Sequence, residues 1–330
     1  MKLAGKKVLV TGGEGFVGSH LVEELVKMGA EVTSFVFYNS LNKIGNLEFV
    51  PKDVLDQVKI YTGDIVDFGA VKNAVKGQDV VFHLAALIAI PYSYKAPEAY
   101  VMTNVLGTLH VLQACREYGV QKIVHTSTSE TYGSAIYTPI DEKHPLQAQS
   151  PYSATKIGAD KMAESYYCSF NLPVATIRPF NTYGPRQSAR AVIPTVICQA
   201  LAGKKEIKLG SLTPVRDMNY VKDSVAGYIQ IAESEATVGE VINIGSGKGV
   251  TIGDLANKIL ELTGSKAKIV SDEARIRPEK SEVKQLLCDY TKATRLFGYK
   301  PKHSLEDGLK ESIDFVREHP ELFRPEEYTI

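Results

Sequence analysis

Neither sign of charge is in excess. Lys plus Arg and Asp plus Glu both number 38 in 330 residues, so the formal net charge is zero. A protein that coats nucleic acid or an anionic membrane needs surplus positive charge, and the sequence argues against both partners. Long apolar runs are also missing. The longest, Leu84–Ile90, falls far short of the ~20 residues that a membrane span requires. The first residues, Met1-Lys2-Leu3-Ala4-Gly5-Lys6-Lys7, lead straight into a strand pattern without the apolar stretch of a signal peptide, so a cytoplasmic location is expected. Cysteine is scarce: Cys115, Cys168, Cys198 and Cys288 stand far apart without a C-x-x-C pair, and are expected as buried small hydrophobes. The seven histidines never pair at helical intervals, so no metal is expected.

What is present is an ordinary globular composition, 44% hydrophobic and 23% charged, in a length that suits about two domains. Lys7–Thr11 is apolar and β-branched and reads as a buried parallel strand. Glycines follow, then a helical pattern over Val17–Met28 stopped by Gly29. Strands are predicted at Glu31–Tyr38, Val58–Thr62, Asp79–Ala86, Ile123–Ser127 and Pro173–Arg178. Helices are predicted at Phe68–Lys76, Asn104–Tyr118 and Ser153–Phe170. This alternation predicts a doubly wound parallel α/β sheet with right-handed crossovers. After Pro179 the rhythm breaks. Asn181–Gln187 reads as a Pro/Gly loop, followed by helices at Ala191–Ala202, Val221–Ser234, Ile252–Leu262 and Ser304–Arg317, with strands at Glu206–Leu209 and Glu240–Ile244. The second half reads as a smaller domain laid over the C-terminal edge of the sheet, without a low-complexity linker.

The turn after the first strand is Thr11-Gly12-Gly13-Glu14-Gly15-Phe16-Val17-Gly18, a G-x-x-G-x-x-G spacing. Gly12 permits the tight turn, Gly15 lets backbone approach a pyrophosphate, and Gly18 allows close packing of helix on strand. The following helix offers amide donors and a positive dipole end. An acidic residue about twenty positions on would grip a ribose 2′-hydroxyl and mark NAD. Tyr38-Asn39-Ser40 stands there instead, and Lys43 can attract a 2′-phosphate, so NAD and NADP both remain open. Asp64-Ile65 sits where an adenine can be read, although an Asp that merely closes a strand is an equal reading.

Tyr152-Ser153-Ala154-Thr155-Lys156 is Y-x-x-x-K. A spacing of four puts both side chains on one helix face. The ammonium of Lys156 can lower the tyrosine pKa and hold the nicotinamide ribose, leaving Tyr152 as base toward a hydroxyl under oxidation. Thr128-Ser129-Glu130 follows the strand ending near Ser127, at the sheet end where open α/β folds place active sites. Thr128 can hydrogen-bond the reacting hydroxyl. A carboxylate at 130 can move protons on a carbon next to a ketone.

The strings T-G-G-E-G-F-V-G, G-D-I, F-H-L-A-A, S-T-S-E-T-Y-G, Y-S-A-T-K, R-P-F-N-T-Y-G-P-R and R-D-M-N-Y-V-K-D span nearly all of the chain. Together they resemble the extended short-chain dehydrogenase/reductases that act on nucleotide sugars. The resemblance implies a Rossmann domain over 1–179 plus about 216–246, and a nucleotide-sugar-binding domain over about 180–215 plus 247–330. It implies a tightly held NAD or NADP contacted by Gly12, Gly15, Phe16, Val17, Asn39, Lys43, Asp64, Ile65, Leu84, Ala85, Ala86, Tyr152 and Lys156. Asn181, Arg216, Arg277 and the backbone at Ile193 would hold the nucleotide diphosphate and its sugar or base, which suits the fork geometry of arginine toward phosphate. His83 and Asn104 are expected in structural roles. The helices Asn104–Tyr118 and Ser153–Phe170 would pair across a two-fold axis into a four-helix homodimer interface.

Within that family Thr128-Ser129-Glu130 resembles the 4,6-dehydratases and the UDP-glucuronic acid decarboxylases, since 4-epimerases usually lack the acid. Many hexose dehydratases carry Asp where this chain has Ser129, whereas GDP-mannose 4,6-dehydratases carry Ser. Ala85–Tyr94, Pro179–Pro194 and Arg277–Val283 are similar to the N-acetylglucosamine-nucleotide 4,6-dehydratases of the legionaminic acid pathway. The expected activity is therefore conversion of GDP- or UDP-N-acetylglucosamine to the 4-keto-6-deoxy sugar. Tyr152 and Thr128 would serve C4 oxidation and Glu130, beside Ser129, would serve loss of water across C5 and C6. A decarboxylase using Arg190 or Arg277 for a C6 carboxylate, a 4-epimerase, and a non-catalytic NAD(P)-binding sensor stand as alternatives.

Overall fold

The computed structural model describes residues 1–327. Its strands, in chain order, are β1 (Lys7–Thr11), β2 (Glu31–Phe37), β3 (Lys59–Gly63), β4 (Val80–His83), β5 (Lys122–Thr126), β6 (Val174–Pro179), β7 (Asn181–Tyr183), β8 (Glu206–Leu209), β9 (Val215–Tyr220), β10 (Val241–Ile244), β11 (Gly249–Thr251), β12 (Lys268–Ser271) and β13 (Gln285–Leu286). Seven of them form one parallel sheet in the order β10-β6-β5-β4-β1-β2-β3. The chain winds one way from β1 through β2 to β3 and the other way through β4. The crevice for a ligand therefore opens at the carboxyl ends of β1 and β4, where the winding reverses.

Alternation along the strands divides the core. Val8 and Val10 of β1 join the cluster beneath the Phe16–Lys27 and Val221–Glu233 helices. Leu9 joins the cluster beneath Phe68–Val75, Gly107–Tyr118 and Pro151–Phe170. Both faces are covered, which is why β1 reads as a continuous apolar run. Each such aliphatic side chain contributes roughly 1.5–3 kcal/mol by leaving water.

The helix that begins the Y-x-x-x-K segment has a strong start. Ser150 accepts from the Ser153 amide at 3.1 Å in a reciprocal capping box, and Pro151 occupies the first turn. Such a cap stabilises by about 1 kcal/mol and fixes where Tyr152 leaves the loop. Asn171, in the left-handed region at φ 53°, closes the other end.

Several predicted elements differ. Asn181–Gln187 is not all loop: Asn181–Tyr183 pairs in parallel with Met218–Tyr220 of β9. The β9 strand itself escaped the sequence reading, because Arg216, Asp217 and Asn219 break its apolar pattern. These polar residues are buried and partnered, so the strand holds together through hydrogen bonds. The strand expected to reach Ala86 ends at His83, and the chain then crosses the crevice as an open segment. The Asn104–Tyr118 helix is regular only from Gly107, with a wider π turn over Val101–Leu106. Cys115, Cys198 and Cys288 are buried as expected, but Cys168 is exposed, on the outer side of its helix. Among the described residues no helix is long and apolar enough to cross a membrane.

Candidate active site

The glycine turn is fixed by sterics. Gly12 lies at φ +69°, and a Cβ there would stand 2.8 Å from the Ala85 amide nitrogen, so only glycine lets β1 and the segment after β4 close up. At Gly18 a Cβ would fall 2.1 Å from the Gly12 carbonyl oxygen. Gly13, which the spacing left unassigned, is equally constrained, with Ser34 Oγ at 2.1 Å from its built Cβ. Gly15 differs: its built Cβ meets only the Gly12 oxygen, at 3.1 Å. The helix it opens has no side-chain cap. Its first amides therefore face the crevice beside Phe16 and Val17, which suits a phosphate-bearing ligand. Leu84 and Ala85 are tied to Thr11, by Leu84 N to the carbonyl at 3.1 Å and Ala85 N to Oγ1 at 3.2 Å. Ala86 continues that wall.

At the far end of β2 the side chain of Asn39 closes its own loop. It accepts from the Lys43 amide at 3.0 Å and donates to the Lys43 carbonyl at 2.7 Å. Lys43 pairs with Glu48 at 3.6 Å. Asp64 accepts from the Val66 amide at 2.9 Å and so closes β3, while Ile65 is buried against Gly107.

Tyr152, Lys156, Thr128 and Glu130 come together at the ends of β5 and the Pro151–Phe170 helix. Burial pushes the Tyr152 phenol well above its ordinary range, with Glu130 adding to the rise. A hydrogen bond with Thr128 acts against it. Thr128 Oγ1 also accepts from the Glu130 amide at 3.2 Å, so one hydroxyl ties the phenol to the backbone that carries the Glu130 carboxylate. Lys156 donates to the Thr126 carbonyl at 2.6 Å, and burial lowers its ammonium to about 8. The Lys156 ammonium is turned to the strand end, and Thr128 makes the hydrogen bond that favours the ionised phenol. Ser129 is buried between Thr128 and Glu130.

Under this group lies a closed polar layer. Asp160, one turn after Lys156, accepts from Ser127 Oγ at 2.6 Å and Arg178 Nη2 at 2.8 Å, with His125 Nε2 at 3.1 Å. Burial pushes its carboxyl up, but His125, Arg178 and Ser127 hold it down to about 2. His83 sits between Thr11 and Thr108 at 2.8 and 3.0 Å, and burial lowers it so far that it is neutral, a structural placement. Asn104 clamps both backbone groups of Leu87 and reaches Thr155 at 3.0 Å.

The residues expected to hold the substrate come from β7 (Asn181), β9 (Arg216), the Val192–Leu201 helix (Ile193) and the segment after β12 (Arg277). Asn181 Oδ1 and Arg277 Nη1 are buried without a hydrogen-bond partner. Arg216 is buried and donates to Glu282 at 3.3 Å. Burial lowers it, and the charges of Glu130 and Glu282 raise it again. The Ile193 side chain is in the core, which leaves only its backbone, at the uncapped start of the Val192–Leu201 helix, for the expected contact.

Two residues near the site escaped the sequence reading. Tyr100 packs edge-on to Tyr152 with ring centroids 6.1 Å apart, and its hydroxyl holds the carbonyls of Ile88 and Ala89. That bond restrains Ala89 at φ +67°. Tyr228 donates to Thr126 Oγ1 at 3.2 Å, bracing the residue whose carbonyl holds Lys156. Neither leaves a spacing signal, since each acts across distant parts of the chain.

The family model described as GDP-mannose 4,6 dehydratase matches residues 9–312. A UDP-N-acetyl-alpha-D-glucosaminuronate decarboxylase of Bacillus cytotoxicus is 34% identical over 328 residues, covering 95% of this chain and 98% of that protein. A dTDP-glucose 4,6-dehydratase of an Actinoplanes species is 32% identical, covering 94% and 98%. Among solved structures, the dTDP-glucose 4,6-dehydratase of Streptomyces venezuelae, determined with NAD bound, superposes with a TM-score of 0.87 at 31% identity over 97% of this chain and 99% of that one. The UDP-glucuronic acid 4-epimerase of Bacillus cereus, in complex with UDP-glucuronic acid and NAD, gives 0.86 at 30% identity over 94% and 99%. With a glycine turn and a Tyr152–Lys156 helix on one parallel sheet, the chain belongs to the extended short-chain dehydrogenase/reductase family of nucleotide-sugar dehydratases, decarboxylases and epimerases.

Proposed function

We propose that the chain is a nucleotide-sugar 4,6-dehydratase acting on GDP- or UDP-N-acetylglucosamine, as in legionaminic acid synthesis, in the cytoplasm. The observation that carries this reading is Glu130, a half-buried carboxylate whose charge acts on both Tyr152 and Arg216 and whose amide is bound by Thr128. An epimerase oxidises and re-reduces one carbon and has no task for that acid. A dehydratase must remove a proton from C5 and expel the C6 hydroxyl.

The uncapped amides at Gly15–Val17 fit the pyrophosphate of an NAD or NADP dinucleotide. Held there, it would supply a hydride acceptor and donor. The chain supplies the rest. Thr128 orients the C4 hydroxyl and Tyr152 takes its proton. Lys156, held on Thr126, is placed to share proton balance near neutrality. Once C4 is a ketone, the C5 hydrogen is acidic and Glu130 removes it. The C6 hydroxyl leaves as water with the proton that Glu130 took from C5, C5 is reprotonated by Glu130 from solvent, and the hydride taken from C4 would end on C6, giving the 4-keto-6-deoxy sugar. Arg216, Arg277, Asn181 and the Ile193 backbone hold the diphosphate side. This reading assigns the cofactor to 1–179 plus about 216–246 and the nucleotide sugar to the remainder. It also pairs two copies through the helices bearing the exposed Met102, Tyr167 and Phe170.

The second reading is a decarboxylase. Arg190 or Arg277 would then meet the C6 carboxylate, and Arg277 Nη1 is buried without a hydrogen-bond partner. Mass spectrometry of the protein incubated with GDP- and UDP-N-acetylglucosamine separates the two. Loss of one water from either supports the dehydratase. No change with both, but loss of carbon dioxide from a UDP-hexuronic acid, overturns it.

A further inference from the structure

The acidic residue that would grip an adenosine ribose is missing from the end of β2, but a carboxylate reaches that place from elsewhere. Glu14 lies inside the glycine turn, and its Oε1 accepts the amide of Phe37, the last residue of β2, at 2.9 Å. Its other oxygen, Oε2, is buried without any hydrogen-bond partner. The 44–46 segment closes over it: the Asn46 amide donates to the Glu14 carbonyl at 2.9 Å, and Gly45 at φ +59° leaves no room for a Cβ against Glu14. An orphaned carboxylate oxygen in a half-buried place is costly unless a donor completes it. Burial accordingly pushes this carboxyl above its ordinary value. The nearby candidates for binding a 2′-phosphate are otherwise engaged. Lys43 pairs with Glu48, and the Asn39 amide closes its own loop.

We infer that Glu14 sets the cofactor preference of this chain, selecting NAD over NADP. Its free oxygen accepts from the adenosine ribose hydroxyl, and its charge repels a 2′-phosphate. The residue thus replaces, from the glycine turn, the carboxylate that this fold ordinarily places after β2. The inference rests on the dinucleotide part of the proposed function and is independent of the dehydratase chemistry.

The test reads cofactor occupancy rather than turnover. Purified protein is equilibrated with equal NAD and NADP, freed of unbound cofactor and denatured, and the released dinucleotides are quantified by chromatography. The wild type should release NAD almost alone. Glu14→Gln keeps an acceptor for the Phe37 amide but loses the charge, and should raise the NADP share by about tenfold or more, the scale of one unit-charge repulsion at short range. Glu14→Ala should do the same, and circular dichroism verifies that both variants are folded. A wild type that retains NADP as well as NAD, or folded variants with the wild-type ratio, would overturn the role of Glu14. Release of neither dinucleotide would overturn the cofactor reading with it.

Discussion

Two groups of residues bury charge in opposite ways. On the sheet side, Asp160 takes bonds from Ser127 and Arg178, with His125 at hydrogen-bond distance, within a closed layer. Across β7, β9 and the segment after β12, Asn181 Oδ1 and Arg277 Nη1 are buried without hydrogen-bond partners, and Arg216 and Arg277 share one carboxylate, Glu282, at ion-pair distances of 3.3 and 3.9 Å. Desolvated charge is tolerated in a fold when it is fully paired. Charge left short of partners does little for the fold and is available to a ligand. The first group is scaffold for Lys156, and the second is where the proposed function puts a diphosphate.

The largest expected effect comes from opening the paired group. Asp160→Ala leaves Arg178 buried without its anion and should cost about 3–5 kcal/mol of stability by denaturant unfolding. A loss under about 1 kcal/mol would erase the contrast. In the other group, Arg277→Met should leave stability within about 1 kcal/mol and weaken nucleotide-sugar binding by roughly tenfold to a hundredfold, the loss of one or two charge-assisted hydrogen bonds. Isothermal titration checks it, and an unfolding loss as large as that of Asp160→Ala would make Arg277 scaffold too.

An acid limb sharpens the same comparison. Asp160 is held at about 2 against an ordinary 3.8. A depressed carboxyl stabilises fully above its unfolded value, and that contribution is lost as pH falls from about 4 toward 2. The wild type should lose stability over this window more steeply than Asp160→Asn, as measured by unfolding at several pH values. The smallest effect is expected at Tyr228→Phe, which removes only the bond to Thr126. Stability should drop by about 0.5–1.5 kcal/mol. Turnover should fall severalfold with substrate affinity unchanged, since the change reaches Lys156 only through Thr126.

Much of the scaffold was legible because local rules agree with the global fold. Strand alternation, glycine sterics at Gly12 and Gly18, and the four-residue step from Tyr152 to Lys156 are all written within a few residues. The misses arise where sequence-distant parts meet. β9 is polar because Asp217 and Asn219 find partners at Ser246, Gly247 and Ser224. Tyr228 meets Thr126 from 102 positions away. Gly13 is constrained by Ser34 on the neighbouring strand, and Glu14 by the end of that strand. Such contacts carry no spacing, because register and packing create them.

The central claim is that Glu130 handles the C5 proton. The most direct measurement is the product mass after incubation with the N-acetylglucosamine nucleotide in deuterated water, for wild type and Glu130→Gln. The wild-type product should lose one water and carry one solvent-derived deuteron at C5. Glu130→Gln, still folded and still binding substrate, should form this product at least about a hundredfold more slowly, the loss typical of a removed general base. A Glu130→Gln protein that dehydrates and labels C5 at the wild-type rate would contradict the account.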